Sequence, residues 1–380
     1  MRVLHVYKTA LPDSTGGIEQ VVHTLAQHAQ ARGAHCDVLA LCGDAAQAGT
    51  RIHAGYTLHR LQRIAEVASM PVSLGLVRRY AQLARRADLI HYHFPWPFMD
   101  VLHFAASAGT PSVLTYHSDI VRQRQLLRLY RPLQRRFLRS VGRIVATSPN
   151  YLASSAVLAE HRAKVSVIPI GLDDAPAHAA SAQRVEAWRA RLGPRFLLFV
   201  GVLRYYKGLR VLLQAAQGLQ IPIAIAGDGP EAAALRAQAQ ALGLSHVHFL
   251  GHVDEADKHA LLAACAALVF PSHLRSEAFG ISLLEAAMHA KPMISCEIGT
   301  GTSFVNVAGE TGLVVPPGDP LALRDAMRYL WDHPQIAAAY GGHAEARYRR
   351  LFTADGMVDA YLALYRDVCG ARGTADGEQG

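Results

Sequence analysis

The chain has 380 residues, 51% hydrophobic and 18% charged, which excludes a disordered chain and is enough for two globular domains of ordinary size. Its formal net charge of +8 leaves nucleic acid, an anionic membrane or an anionic substrate as partner classes. Five scattered cysteines without CxxC or zinc spacing, no apolar run of about 18 residues and a short first apolar run point to reduced thiols in a cytosolic compartment, without a membrane-spanning helix or a signal peptide.

Strand and helix patterns alternate from the start. Residues 2–7 read as a strand, 8–17 as a loop and 18–31 as a helix. Alternating patterns follow at 35–41, 56–61, 72–86, 89–93, 101–108, 112–116, 121–139, 144–146, 150–159 and 165–170. This argues for a parallel sheet with helices on both faces. There is no GxGxxG, but Gly16 and Gly17 form a glycine pair at the first strand-to-helix turn. Such a pair is an ordinary tight turn or a place where backbone approaches an anion at a helix N-terminus. His91 and His93 project from one face of a strand, which is a possible seed for a metal site. No third ligand is near them in sequence, so a structural or acceptor-pocket role is preferred and no metal is assigned. His117 follows the 112–116 strand at its carboxyl end, with Asp119 two residues on.

Between residues 120 and 143 the composition changes. Arginines at 122, 124, 128, 131, 135, 136, 139 and 143 interleave with leucines and aromatics, and Pro132 divides or kinks the helix. A basic amphipathic helix can lie on an anionic bilayer, and it can equally be a solvated face over a packed stripe. No aromatic stacking platform or nucleic-acid motif accompanies the charge, so nucleic acid is not favoured.

Residues 171–183 are poor in large apolar side chains and read as an interdomain linker. A second alternating unit then runs through strands at 196–200, 221–226, 247–250 and 267–270, with helices at 209–217, 231–241 and 254–264 between them. Arg204 and Lys207, after the first of these strands, offer a planar fork of donors and a point charge that together suit a diphosphate. A salt-bridged surface turn is the plainer alternative. Gly227-Asp228-Gly229-Pro230 reads as a turn ahead of a helix. The stretch 270–285, FPSHLRSEAFGISLLE, begins at a strand's carboxyl end and opens through Gly280 onto a helix N-terminus, where ligands of open α/β sheets bind. Glu277 and Glu285 frame it with seven residues between them. A strand at 292–296 and helices at 320–331, 334–350 and 354–368 follow, and the tail from 370 to 380 is expected to be disordered.

The ordered set GGIEQ, YHSD, LRYYKG, GDGP and SEAFGISLLE resembles the retaining family 4 glycosyltransferases over nearly the whole chain. That resemblance implies an α/β chain of the GT-B fold, with two Rossmann-like domains facing a central cleft. The acceptor-side domain would span 1–172, the donor-binding domain 185–353, and a helix at 354–369 would cross back to the first. It further implies catalytic roles for His117, Glu277, Arg204 and Lys207. Donor contacts would come from Gly16, Gly17, Arg204, Lys207, Phe279, Gly280, Ile281 and Glu285, and acceptor-side contacts from His93 and Asp119. Asp119 sits one residue later than the commonest spacing, the Arg204-to-Lys207 spacing is short, and GTGTS at 299–303 replaces the usual glycine pair and acidic residue.

The strings YHFPWPFMD, SDIVRQ, RYYKG and FPSHLRSEAFGI are similar to mannosyl- or rhamnosyltransferases of bacterial O-antigen assembly. This implies a GDP-mannose or GDP-D-rhamnose donor, a polyprenyl-diphosphate-linked saccharide acceptor and catalysis without a metal or other cofactor. Residence on the inner face of the cytoplasmic membrane is expected with it. Two other classes stay open at this point: an epimerase or hydrolase of sugar nucleotides on the same fold, and a noncatalytic sugar-nucleotide-binding subunit.

Overall fold

The computed structural model describes residues 1–14, 16–67, 70–73, 75–107, 109–120, 124–178 and 181–377, without the side chains of 66–67, 70–72, 124–127, 176, 178 and 371–377. The chain divides into two compact units, Met1–Leu172 with Ala354–Gly380, and Asp173–Thr353.

The first unit is built on β1 (Arg2–Val6), α1 (Gly17–Ala31), β2 (His35–Cys42), β3 (Gly49–His53), β4 (Tyr56–Gln62), the hairpin β5 (Ala65–Val67) and β6 (Met70–Val72), and α2 (Leu76–Ala84). It continues through β7 (Leu89–Phe94), α3 (Pro97–Ala106), β8 (Ser112–Tyr116), α4 (Arg124–Ser140), β9 (Arg143–Ala146), α5 (Pro149–Ser154), α6 (Ala156–Ala159) and β10 (Val165–Val167). Its sheet runs in the order β10-β9-β8-β7-β1-β2-β4-β3. The neighbours are parallel except for β3, which joins β4 antiparallel as an edge strand. Every residue of β7 and β8 is buried, as expected of strands covered on both faces.

The second unit contains α7 (Ala175–His178), α8 (Ala182–Leu192), β11 (Leu197–Val200), α9 (Leu209–Ala216), β12 (Ile223–Ala226), α10 (Ala232–Ala241), β13 (Val247–Gly251), α11 (Glu255–Ala264) and β14 (Ala267–Phe270). Then come α12 (Ile281–Met288), β15 (Met293–Cys296), α13 (Thr302–Val305), β16 (Gly312–Val315), α14 (Pro320–Asp332) and α15 (Pro334–Leu351). Its sheet is wholly parallel, in the order β13-β12-β11-β14-β15-β16. The chain builds outward from β11 on one side, then returns to β14 and builds outward on the other. The crevice of a doubly wound sheet opens at that reversal, beyond the carboxyl ends of β11 and β14. The last helix, α16 (Ala354–Gly377), returns to the first unit and packs against α1 and β8.

Three expectations are corrected. The 171–183 stretch is not a plain linker, because α7 and the start of α8 lie in it; the helical pattern of α8 is weak because that helix is largely exposed. The helix expected at 72–86 begins only at Leu76, after the β5–β6 hairpin. The final helix continues through 370–377, where disorder was expected.

Candidate active site

In the second unit the chain leaving β11 makes a short 3-10 turn at Tyr205–Lys207 and enters α9 through Gly208. Gly208 has φ of +72°, and a Cβ there would collide with the carbonyl of Pro271 in the loop after β14. The two loops at the switch point therefore touch backbone to backbone, and His273 N–H donates to the Tyr206 carbonyl at 3.0 Å. The glycines of the GDGP turn seat that turn against Gly201 and Leu203, where Leu203 N–H donates to Asp228 O at 2.9 Å. This turn braces the Arg204 loop from behind.

That packing brings Lys207 and Glu277 together. Lys207 Nζ lies 2.6 Å from Glu277 Oε2, with each side chain 11% exposed. The ammonium sits 4.9 Å from the centroid of the Phe270 ring, and Ser272 Oγ donates to the same carboxylate oxygen at 3.2 Å. Arg204 is exposed, and among the described residues it has no ion-pair partner. A paired ammonium beside an open guanidinium at a helix-bearing crevice can take up a diphosphate, whose charge would compete with Glu277 for Lys207.

The second carboxylate is paired as well. Glu285, in the second turn of α12, meets Lys258 from α11 at 2.5 Å, both nearly buried. Glu255 takes the same ammonium at 2.7 Å. Burial alone would lower Lys258, but Glu285 and then Glu255 outweigh it and hold the lysine above its ordinary value. Sequence reading missed Lys258, which sits in a helix that looks like a solvated face. α12 opens at Gly280, with φ of +93°, and Ser282 Oγ ties its first turn to the Val200 carbonyl of β11 at 3.0 Å. Phe279 is buried and packs edge-on to Phe352, while Ile281 starts the helix half-buried.

In the first unit, parallel register sets five polar side chains on one face. His5 of β1 lies beside His91 of β7, and His93 lies opposite Thr115 of β8, with His117 two residues further on. His5 Nδ1 is 3.2 Å from His93 Nε2, and His93 Nδ1 is 3.1 Å from His117 Nε2. His91 spends its nitrogens on Thr115 Oγ1 at 2.7 Å and Tyr365 OH at 2.6 Å, and Thr115 also meets Tyr361 OH at 2.8 Å. α16 thus covers this face with tyrosines one helical turn apart. Burial drives His5 and His117 from 6.5 down to about 3, only partly opposed at His5 by Asp37. Burial and then the neighbouring imidazoles hold His91 and His93 well below the ordinary value. All four rings are therefore neutral at physiological pH.

Asp119 is tied down: Tyr116 OH and Ser155 Oγ donate to its Oδ1 at 2.9 and 3.1 Å, and its backbone N–H donates to Tyr151 OH at 2.6 Å. It locks the loop after His117 onto α5 and α6. Gly16 precedes α1, and a Cβ there would strike the carboxylate of Glu19, which accepts from Thr9 and Ser14 hydroxyls at 2.7 and 2.8 Å. Gly17 is the first residue of that helix.

The basic helix α4 turns Phe137 and Leu138 fully into the unit, and Tyr130 donates to the buried Asp100 at 2.6 Å. Arg128, Arg131, Arg135, Arg136 and Arg139 stand outward with Leu129. Arg135 meets Glu160 at 2.9 Å. Arg122 and the side chain of Arg124 lie outside the described residues. Among the described residues no helix is long and apolar enough to cross a membrane, and the five cysteines are free.

Residues 15–176 match the family Glycosyltransferase Family 4, and residues 182–347 match Glycosyl transferases group 1. The chain is 57% identical to D-rhamnosyltransferase WbpZ of Pseudomonas aeruginosa, over 93% of each chain. It is 49% identical to O-antigen chain mannosyltransferase C of Escherichia coli, over 96% of this chain and 98% of the other. Among solved structures, sucrose-phosphate synthase from Thermosynechococcus elongatus superposes with a TM-score of 0.80 at 20% identity, over 97% and 99% of the two chains. Anabaena Alr3699/HepE, solved with UDP and glucose, gives a TM-score of 0.77 at 21% identity, over 97% and 100%. With the two Rossmann-like units, these similarities make the fold GT-B and place the chain in the family 4 glycosyltransferases.

Proposed function

We propose that this glycosyltransferase moves mannose or D-rhamnose from a GDP-linked donor to a polyprenyl-diphosphate-linked saccharide in O-antigen assembly, with retention at the anomeric carbon. The observation that carries the reading is the pairing of Lys207 with Glu277 beside the open Arg204, in a chain 57% and 49% identical to a rhamnosyl- and a mannosyltransferase. Arg204 and Lys207 hold the donor diphosphate and take up the negative charge that grows on it as the glycosidic bond breaks. Released from Lys207, Glu277 accepts from hydroxyls of the donor sugar. Glu285 accepts from the ribose, and first-turn amides of α12 face phosphate. His117 donates to the transferred sugar. The bond from the anomeric carbon to phosphate breaks as the acceptor oxygen bonds to the same face, and the acceptor proton passes to the departing phosphate oxygen. The protein orients the reactants and stabilises charge, with no nucleophile of its own.

The positive charge for this step comes from side chains, so a divalent ion is not required. The exposed arginines of α4 suit the anionic inner face of the cytoplasmic membrane, where a lipid-linked acceptor would be met. Phe137 and Leu138 are used inside the fold, so attraction is chiefly electrostatic, with the exposed Leu129 as an apolar contact beside the arginines. The test is a screen of GDP- and UDP-linked sugars, each with and without a polyprenyl-diphosphate saccharide and with EDTA. Transfer from a GDP-sugar in EDTA, dependent on acceptor, is expected. Transfer only from UDP-sugars, or only with added magnesium or manganese, contradicts the donor and metal assignments respectively. Release of free sugar at the same rate with or without acceptor marks a hydrolase.

A further inference from the structure

The buried imidazoles of the first unit exceed what packing needs. Three neutral rings, His5, His93 and His117, lie in a row joined by two nitrogen-to-nitrogen contacts of 3.2 and 3.1 Å. A neutral imidazole carries one N–H and one lone pair, so each contact is a hydrogen bond only if the protons along the row all point the same way. Two arrangements satisfy this. In one, His117 Nε2–H donates to His93, His93 Nε2–H donates to His5, and His5 carries its proton on Nε2. In the other, His5 Nδ1–H donates to His93, His93 Nδ1–H donates to His117, and His5 Nε2 is a bare lone pair.

The far end of the row decides between them. His5 Nε2 is buried without a hydrogen-bond partner, and the residue is 1% exposed. A buried N–H without an acceptor is rarer and more costly than an acceptor without a donor. The second arrangement is therefore favoured, and it leaves His117 with its proton on Nδ1. Among the described residues that nitrogen has no hydrogen-bond partner, so the row ends in a donor.

We infer that His5 and His93 are positioning residues: they fix His117 in the Nδ1–H tautomer, so that it presents a neutral hydrogen-bond donor rather than an acceptor or an imidazolium. This rests on the reading of His117 as a contact of the transferred sugar. A neutral donor holds a sugar hydroxyl without adding a full positive charge beside an oxocarbenium-like centre. Metal binding is the competing use, since nitrogens of His5, His91 and His93 lie within 4.8 Å of one another. But His91 and His93 already spend both nitrogens on protein partners, and an ion would have to break those bonds.

The test is a long-range proton–nitrogen correlation spectrum of the full chain labelled in histidine, taken at neutral pH without donor. Neutral Nδ1–H tautomers at His5, His93 and His117 are expected. An Nε2–H tautomer at His117, an imidazolium in the row, or zinc-shifted imidazoles with one equivalent of co-purified metal would overturn the inference. Kinetics give a second arm. His93→Asn keeps a donor at the δ position and His93→Leu removes it. His93→Leu should lower kcat roughly 10–100-fold, the scale of losing a group that orients a working imidazole, with donor KM nearly unchanged. His93→Asn should recover most of the loss, and equal kcat in the two folded variants contradicts the assignment. The spectrum needs no substrate, so failure of every sugar donor would defeat the proposed function and leave the tautomer to be decided separately.

Discussion

The two sheets of this protein reverse their strand order in the same way but furnish the reversal differently. Beyond β11 and β14 the side chains are charged, and the two carboxylates each face a lysine. On the β1–β7 face they are imidazoles stripped of charge by burial. The difference follows from what each region can offset. Opposite charges within hydrogen-bond distance survive partial burial, whereas a cation buried among like rings does not. The charged region suits a diphosphate, and the neutral region suits hydroxyl groups.

Breaking the charged side should have the largest consequences. Lys258→Met leaves Glu285 buried without its partner, and thermal or denaturant unfolding should show a loss of about 3–5 kcal/mol. Adding Glu285→Leu should restore most of that stability without restoring donor affinity. A double variant with native donor KM would remove Glu285 from the ribose. Next, Lys207→Ala should lower turnover by roughly 10²–10³, the scale of one preorganised electrostatic donor. Native kinetics in a folded Lys207→Ala protein would take Lys207 out of the site.

The neutral side sharpens the comparison through pH. The folded-state values of the histidine row lie below the unfolded value of 6.5, at about 3 for His5 and His117. The unfolded chain therefore binds more protons as pH falls from 6.5 toward 3, and stability must fall with it. The melting temperature should drop over that window and drop less steeply in His5→Asn. The same slope in both proteins would mean that the row does not govern acid stability.

The smallest effect concerns α4. Changing Arg128, Arg131, Arg135 and Arg139 to Gln should weaken sedimentation with anionic vesicles, by up to about 1 kcal/mol per residue at low salt. Turnover of a soluble short-chain acceptor should be spared. Unchanged sedimentation would make α4 a solvated face only.

Much of this was legible in the sequence, and what was missed shares a physical cause. The loops at strand ends announce themselves locally, because SEAFGISLLE and LRYYKG carry their glycines and charges within a few residues. His5 and Lys258 do not. His5 joins the histidines only through the register of β1 with β7, and Lys258 meets Glu285 only because α11 packs near α12. β3 was invisible because four of its five residues are exposed, leaving no apolar alternation to read. Asp119 was placed on the acceptor side, but its position could not reveal that Tyr116 and Ser155 hold its carboxylate.

The division between a charged and a neutral region is tested most directly by calorimetric titration of GDP into the native chain, Arg204→Ala, Lys207→Ala and His93→Leu. GDP affinity should fall about 10-fold or more in the first two variants, the scale of losing one charge-assisted hydrogen bond. It should stay at the native value in His93→Leu, although all three variants lose turnover. GDP affinity that survives in Arg204→Ala and Lys207→Ala but falls in His93→Leu would contradict the account.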